Sequence, residues 1–252
     1  MVVQVREGLR LLTSYDAAPE PGGPAGPATG SSRVLVATAV PAERDAVARA
    51  LATHPGTGVD VLAVGVGPAA AAAGTATALA RADAAGRPYR LVVSAGIGGG
   101  FQPDAAVGSL VVADEITVAD LGAETGDGFL PVTELGFGAV THRPPPSLVR
   151  GAADATGAAS GTVLTVSTVT GSAERAALLR LRHPRALAEA MEGFGVAEAA
   201  ALHGLPVMEV RAVSNAVGPR DRDAWRIGAA LSALTEAFGK LTPVLEGWND
   251  HD

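Results

Sequence analysis

The chain has 252 residues, of which 48% are hydrophobic but only 4% aromatic, and its net charge is −7. With no cysteine in the sequence, disulfides, thiolate metal sites and thiol catalysis are excluded. An acidic chain without a basic run argues against nucleic acid as a partner. No apolar run has the length of a membrane span and the first residues lack a secretory signal, so we expect no membrane partner and a cytoplasmic location.

The first 32 residues differ in composition from the rest of the chain. Residues 19–32 read PEPGGPAGPATGSS, and proline and glycine at this density cannot pack a core. We therefore expect residues 1–32 to form a flexible extension and linker, and residues 33–252 to form one folded domain.

From residue 33 onward, apolar runs alternate with helical patterns. Strands are predicted at 33–40, 59–66, 89–96, 107–117, 161–169 and 206–214. Helices are predicted to open at Pro41 and Pro68, to cover about 172–181, and to close the chain at about 225–245. The stretch 119–146 is predicted to be a long loop. This alternation predicts a single-domain, three-layer αβα fold with a central mixed sheet flanked by helices.

The segment 185–204 needs a separate interpretation. Propensity alone predicts one helix, but Gly193 and Gly195 would each weaken a helix interior by roughly 1 kcal/mol relative to alanine. Two glycines beside a carboxylate therefore predict a break at Met191 and Glu192, with a short strand before the break and a helix after it.

Four features lie where predicted strands end, which is the edge where open α/β sheets bind ligands. Glu43 follows the first strand, the glycine run 96–100 follows the third, Glu192 follows the short strand, and Asn215 follows the last. Glu43 and Asn215 also fit plain structural roles, at a helix start and in a turn. The glycine run lacks the dinucleotide fingerprint because Phe101 replaces its last glycine, so we interpret it as a tight turn or a close backbone approach to a ligand.

Five motifs in this order resemble the nucleoside phosphorylase and nucleosidase superfamily, from about Arg33 to Leu245. They are VLVATAVPAERDAV, VGVGPAAAAAGTATAL, SAGIGGGFQPDAAVGSLVVADEI, AMEGFGVAEAA and VRAVSNAVG. Within the superfamily the chain resembles the methylthioadenosine/S-adenosylhomocysteine nucleosidase branch. The stretch 119–138 and the asparagine in the last motif are most similar to the futalosine hydrolase subfamily, which belongs to the alternative menaquinone pathway.

The resemblance implies roles for particular residues. Glu43 matches the glutamate that positions and activates the attacking water, and Glu192 matches the residue that hydrogen-bonds the ribose hydroxyls. Met191 is expected to pack on the sugar, and Thr168 and Val169 to frame the base largely through main chain. The other expected substrate contacts are Ile97, Gly98, Phe194 and Ser214. The resemblance implies a purine nucleoside substrate, no cofactor, no metal, and a homodimer or higher homo-oligomer.

Asn215 is expected to be the catalytic residue on the base side and to set base choice. A protonated aspartate donates to purine N7 and accepts from a 6-amino group, whereas an asparagine amide offers donors to N7 and to a 6-oxo group. The expected reaction is hydrolysis of the N-glycosidic bond of a 6-oxopurine nucleoside, with hypoxanthine leaving. The central glycine run carries no arginine for a phosphate nucleophile. A purine nucleoside phosphorylase, a methylthioadenosine or aminodeoxyfutalosine nucleosidase, and a non-catalytic nucleoside-binding protein remain alternatives.

Overall fold

The computed structural model describes residues 33–126 and 128–249. The expected extension at 1–32 lies outside the described residues, so it and the domain boundary stay predictions. Within the described part, none of the helices combines the length and the apolar character that crossing a membrane requires.

Ten strands and six helices are found in the described residues. The strands are β1 (Val34–Thr38), β2 (Val59–Ala63), β3 (Leu91–Gly100), β4 (Leu110–Val118), β5 (Gly122–Thr125), β6 (Gly128–Pro131), β7 (Thr141–His142), β8 (Ala159–Thr165), β9 (Ala186–Ala190) and β10 (Val207–Ala216). The helices are α1 (Pro41–Leu51), α2 (Pro68–Ala84), α3 (Pro146–Thr156), α4 (Ala173–Arg182), α5 (Gly193–Leu202) and α6 (Ile227–Gly247). A short 3₁₀ turn spans Arg222–Ala224.

All strands except the β5–β6 hairpin join one mixed sheet. β3 pairs in parallel with β1 on one side and with β10 on the other, and β1 continues in parallel to β2. From β10 the order continues through β4 and β8 to β9. β9 then returns to β3, where it pairs antiparallel with Gly99 and Gly100. Five strands of the sheet therefore close into a ring, and β1 and β2 extend from it.

The sheet is covered on both faces by aliphatic side chains. Along β1, Val34 and Val36 face a core that includes residues of α1, α3 and α6, whereas Leu35 and Ala37 face a core that includes residues of α2 and α5. Buried strands of this kind are apolar at every position because both faces pack against helices. The predicted three-layer αβα fold with a mixed central sheet is confirmed.

Of the two roles predicted for the glycine run, the tight turn is wrong. These residues do not form a turn, because β3 continues in extended conformation through Gly100. A Cβ atom at Gly98 would lie 2.8 Å from the carbonyl oxygen of Glu189, and one at Gly100 would lie 2.2 Å from that of Ala105. Glycine is required here because other backbone segments approach the strand closely.

Two other segments bear on the predictions. The predicted break in 185–204 is confirmed, since β9 ends at Ala190 and α5 begins at Gly193. The prediction of a long loop over 119–146 is wrong in part, because this stretch contains the β5–β6 hairpin and β7. The helix α3, which begins at Pro146, was not predicted.

Candidate active site

A cavity opens where β1, β3 and β10 end and where β9 meets β3. Most of the predicted site residues line it, namely Glu43, Ile97, Gly98, Val169, Met191, Glu192, Ser214 and Asn215. The strand ends at which the sequence places these residues therefore open into one cavity.

Two predicted contacts, Thr168 and Phe194, do not line this cavity. Phe194 turns into the core, where its ring centroid lies 5.3 Å from that of His142. Its backbone N–H donates to Thr165 Oγ1 at 2.9 Å, which fixes the start of α5. Thr168 lies in the exposed segment after β8, and the neighbouring Val169 reaches the cavity instead.

Glu43 lies in the first turn of α1 and is only 4% exposed. Its Oε2 accepts the backbone N–H groups of Ala39 at 2.9 Å and Val40 at 3.3 Å, and its Oε1 accepts the N–H of Ile97 at 2.9 Å. An ionised carboxylate has about four acceptor sites, so three donors leave one lone pair, on Oε1, for a further donor. The extended N-cap residue Val40 and the proline that begins α1 direct the N–H of Val40 toward the side chain, whereas the N–H of Ile97 comes from β3.

Glu192 lies at the N-cap of α5 and is tied down in a similar way. Its Oε1 accepts the N–H of Gly67 at 3.2 Å, and its Oε2 accepts the N–H of Met191 and Nη1 of Arg211, both at 3.3 Å. The lone pair that remains on Oε1 is available to a ligand hydroxyl. The residue that caps α2 and the residue that caps α5 thus meet at one carboxylate.

Arg211 and Glu209 form a buried charge network beneath Glu192. Arg211 Nε donates to Glu209 Oε1 at 2.8 Å, and its Nη2 donates to Ser94 Oγ at 2.9 Å. Burial acts to lower the pKa of Arg211, but the carboxylates of Glu209, Glu192 and Glu43 outweigh it and raise that pKa. Burial raises the pKa of Glu209, against the opposing effect of Arg211. The arginine therefore stays charged and holds several carboxylates together.

Gly96 explains why the network and Glu43 fit together. A Cβ atom at this position would lie 2.6 Å from Glu43 Oε1 and 2.7 Å from Arg211 Nη1. The missing side chain lets the catalytic candidate and the buried arginine approach each other across β3. This close approach gives part of the glycine run a role in the site and not in a turn.

Asn215 lies within β10, beside a bulge at Ser214 where the register with β3 shifts. Its Oδ1 accepts the Ser214 hydroxyl at 2.8 Å, and its Nδ2 donates to the carbonyl of Ala216 at 3.0 Å. The Ser214 hydroxyl also lies 3.2 Å from the carbonyl oxygen of Gly98. One N–H of the amide is therefore already used, and one remains for a ligand. The sequence interpretation had expected two.

The chain belongs to a known family by direct comparison. A family model described as "Phosphorylase superfamily" matches residues 33–243. A futalosine hydrolase from Streptomyces coelicolor is 71% identical, over 87% of this chain and 99% of that protein. A futalosine hydrolase from Acidothermus cellulolyticus is 46% identical, over 84% of this chain and 91% of that protein.

This chain is a member of the futalosine hydrolase family, within the phosphorylase superfamily. The resemblance that the five sequence motifs indicated is therefore confirmed, down to the subfamily.

Solved structures share the fold of this futalosine hydrolase family member. A methylthioadenosine/S-adenosylhomocysteine nucleosidase from Colwellia psychrerythraea, in complex with adenine, superposes with a TM-score of 0.69 at 22% identity, covering 86% of this chain and 96% of that chain. The native futalosine hydrolase of Helicobacter pylori gives a TM-score of 0.66 at 19% identity, covering 84% and 96%. At these identities the comparison supports the fold alone.

Several residues at or beneath the cavity of this family member are not predicted from the sequence. Glu189, Thr170 and Trp225 line the cavity, and Glu209 and Arg211 lie beneath it. A usable signal was present for three of them, because Glu189, Glu209 and Arg211 are charged residues inside strands that are otherwise apolar. Within residues 33–126 and 128–249, no group of three or more histidine, aspartate or glutamate side chains is placed to hold a metal ion.

Proposed function

We propose that the chain hydrolyses the N-glycosidic bond of futalosine at this cavity and releases hypoxanthine. The observation that carries the proposal is that one cavity holds Glu43, Glu192 and Asn215 in a chain 71% identical to a futalosine hydrolase. Cleavage of this bond develops positive charge on the ribose and negative charge on the departing purine. The proposal assigns the two carboxylates to the ribose and the amide to the purine.

Glu43 is proposed to activate the attacking water. Three backbone N–H groups fix its carboxylate, and the unused lone pair on Oε1 accepts a hydrogen bond from the water. The carboxylate then takes the proton as the water attacks the anomeric carbon. Because the backbone donors hold the group in place before reaction, little reorganisation is needed in the transition state.

Glu192 and Met191 are proposed to hold the ribose. The free acceptor site on Glu192 Oε1 receives a ribose hydroxyl, while the half-buried Met191 packs on the apolar face of the sugar. The hydrogen bond from the hydroxyl strengthens as the ribose gains positive charge, so Glu192 contributes more in the transition state than in the ground state.

Asn215 is proposed to contact the purine with its remaining N–H. This single donor serves N7, where negative charge accumulates as the base leaves. The Ser214 hydroxyl holds Oδ1, which keeps the amide nitrogen as the group that faces the base. Asparagine supplies no proton, so protonation of the departing base comes from water.

Water is favoured over phosphate as the nucleophile by the charge of the cavity. Glu43, Glu189 and Glu192 line it, and among the described lining residues there is no arginine, lysine or histidine. Phosphate binding calls for cationic side chains or a cluster of free backbone N–H groups, and the N–H groups near Glu43 are used by its carboxylate.

The test is to incubate the chain with futalosine, with and without phosphate, and to identify the products by chromatography and mass spectrometry. We expect hypoxanthine and a free ribosyl product at the same rate in both conditions. A ribose 1-phosphate product would move the chain to phosphorolysis, and the absence of hypoxanthine would refute the proposed substrate.

We also propose that the chain acts in the cytoplasm as a homo-oligomer. Large apolar side chains are exposed on and beside the β5–β6 hairpin, namely Leu121, Leu130, Leu135 and Phe137. Exposed apolar clusters of this kind are typical of surfaces that bind another protein chain. Sedimentation velocity on the purified protein measures the state, and a monomer at micromolar concentration would contradict the assembly.

A further inference from the structure

Glu189 is a carboxylate on the cavity wall that the proposed reaction does not use. It lies in β9, is 4% exposed, and is separated from Glu192 by Ala190 and Met191. Burying a carboxylate costs free energy, and an apolar residue at the same position would avoid that cost. Its place on the cavity wall therefore calls for a ligand group that it recognises.

The strand register places Glu189 and Asn215 on either side of one glycine. Gly99 pairs with Asn215 in β10 and with Glu189 in β9. Residues directly opposite one another in adjacent strands present their side chains to the same face of the sheet. A Cβ atom at Gly99 would lie 2.9 Å from Val217 Cγ2 and 3.3 Å from Asn215 Nδ2, so glycine lets both side chains pack against the strand. Glu189 and Asn215 thus flank Gly99 on the cavity wall, where Val217 supplies an apolar surface on which a flat ring can lie.

Hydrogen bonds fix the Glu189 carboxylate as an acceptor. The backbone N–H of Thr170 donates to Oε1 at 2.8 Å, and the Thr170 hydroxyl donates to Oε2. Each oxygen keeps one further acceptor site. Burial raises the pKa of Glu189, while the two Thr170 hydrogen bonds and Arg175 oppose that rise. One more donor from a ligand would stabilise the ionised form in the same way.

A carboxylate at this position distinguishes the two kinds of purine. The six-membered ring of a 6-oxopurine presents N1–H, which is a donor, whereas the adenine ring presents N1 as an acceptor. We infer that Glu189 accepts the N1–H of the bound 6-oxopurine and is a specificity-determining residue, with Asn215 contacting N7 of the same base. This inference deepens the proposed function and rests on its assignment of the base to this cavity.

Binding of free bases tests the inference without turnover. Calorimetry measures the dissociation constants of hypoxanthine, adenine and 1-methylhypoxanthine, in which a methyl group replaces the N1 hydrogen. A hydrogen bond to a charged acceptor typically changes affinity by roughly 10- to 100-fold. We expect the wild type to bind hypoxanthine more tightly than both other bases by about that factor.

Glu189→Gln is the matched variant. A glutamine keeps the shape and pairs with Thr170, since its oxygen accepts the backbone N–H and its amide donates to the hydroxyl. It also offers adenine N1 a donor, so we expect the hypoxanthine-to-adenine preference to fall by about 10-fold or more. Glu198→Gln, on the exposed side of α5 where Glu198 pairs with His142, serves as the control and should leave the preference unchanged.

The outcomes separate a recognition role from a structural one. Because the glutamine keeps both hydrogen bonds to Thr170, a purely structural role for Glu189 predicts that Glu189→Gln leaves the hypoxanthine-to-adenine preference at its wild-type value, and that result would overturn the inference. Equal wild-type affinity for hypoxanthine and 1-methylhypoxanthine would also overturn it. If the glutamine variant fails to fold, Glu189→Ala provides space for the added methyl group and is expected to bind 1-methylhypoxanthine at least as well as hypoxanthine. Failure of futalosine turnover with these preferences intact would refute the proposed function alone.

Discussion

The two sides of the cavity are built differently. On the side assigned to the sugar, Glu43 and Glu192 are buried, and each accepts hydrogen bonds from fixed backbone N–H groups, with Arg211 beneath them. On the side assigned to the base, Asn215 is half-buried and bonded to its own neighbours, and Val169 is 46% exposed. In the proposed assignment, the scaffold fixes the charged groups that act on the sugar, whereas the choice of base is divided between the buried Glu189 of β9 and less buried groups at a strand end and in a loop.

The largest effect is expected from breaking the network under the sugar side. Arg211→Met removes the guanidinium from between Glu209 and Glu192 and leaves both carboxylates buried without their cationic partner. Loss of one member of a buried ionic network costs about 3–5 kcal/mol in the free energy of unfolding. Urea denaturation followed by circular dichroism measures it.

A matched control uses an exposed ion pair. Arg143→Met breaks the pair with Glu115, in which the arginine side chain is 73% exposed, so we expect a change of at most about 1 kcal/mol. Equal destabilisation by Arg211→Met and Arg143→Met would contradict the view that the buried network on the sugar side contributes more to stability than an exposed ion pair.

Turnover is expected to depend strongly on Glu43. Glu43→Gln removes the proton acceptor, so kcat for futalosine should fall by roughly 100-fold or more while hypoxanthine binding is retained. Steady-state kinetics and calorimetry measure the two quantities, with the melting temperature as a check on folding. Glu198→Gln should keep normal turnover. A folded Glu43→Gln enzyme with nearly normal kcat would exclude Glu43 as the base.

A moderate effect on base choice is expected from Asn215. We expect the wild type to prefer futalosine over aminodeoxyfutalosine by about 10- to 100-fold, because the N–H that serves N7 can also be shared with an adjacent 6-oxo group but finds no acceptor on a 6-amino group. Asn215→Asp should narrow or invert that preference, since a protonated carboxyl donates to N7 and accepts from an amino group. Competition between the two substrates measures the ratio. An unchanged ratio would mean that Asn215 does not discriminate.

The smallest effect is expected at Thr168. Its side chain is exposed and does not line the cavity, so Thr168→Ala should change kcat/KM for futalosine by less than about 2-fold. A loss of 10-fold or more would indicate that the Thr168 hydroxyl reaches the substrate in the bound state.

The local pattern of apolar residues and glycines in the sequence is sufficient to find the residues that directly follow strands. Glu43, Glu192 and Asn215 were located because each lies at or near the end of an apolar run, and the break before α5 followed from two glycines. This local pattern does not explain a residue whose type is determined by a contact with a residue far away in the sequence. The glycines of β3 are required by the backbone at Ala105 and by Glu189, and no local periodicity reveals such partners.

The direction in which a side chain points is the second feature that the sequence pattern does not predict. Phe194 follows Met191 and Glu192 closely, yet the helix turns its ring into the core. Glu209 and Arg211 are two residues apart in one strand, and their spacing predicts a shared face, but their partner Glu192 belongs to another element. The charge network could be recognised only after β10 and α5 were placed together.

The closure of the ring by β9 has a consequence for how the chain folds. Gly99 meets Glu189 about 90 residues later and Asn215 more than 100 residues later. Such non-local pairing slows folding, because each contact requires a long loop to close first. The floor of the cavity can therefore form only when the chain as far as Asn215 is present, and no early fragment of the growing chain contains it. The amide hydrogens of Gly99 and Gly100 should exchange with solvent only when the whole ring opens.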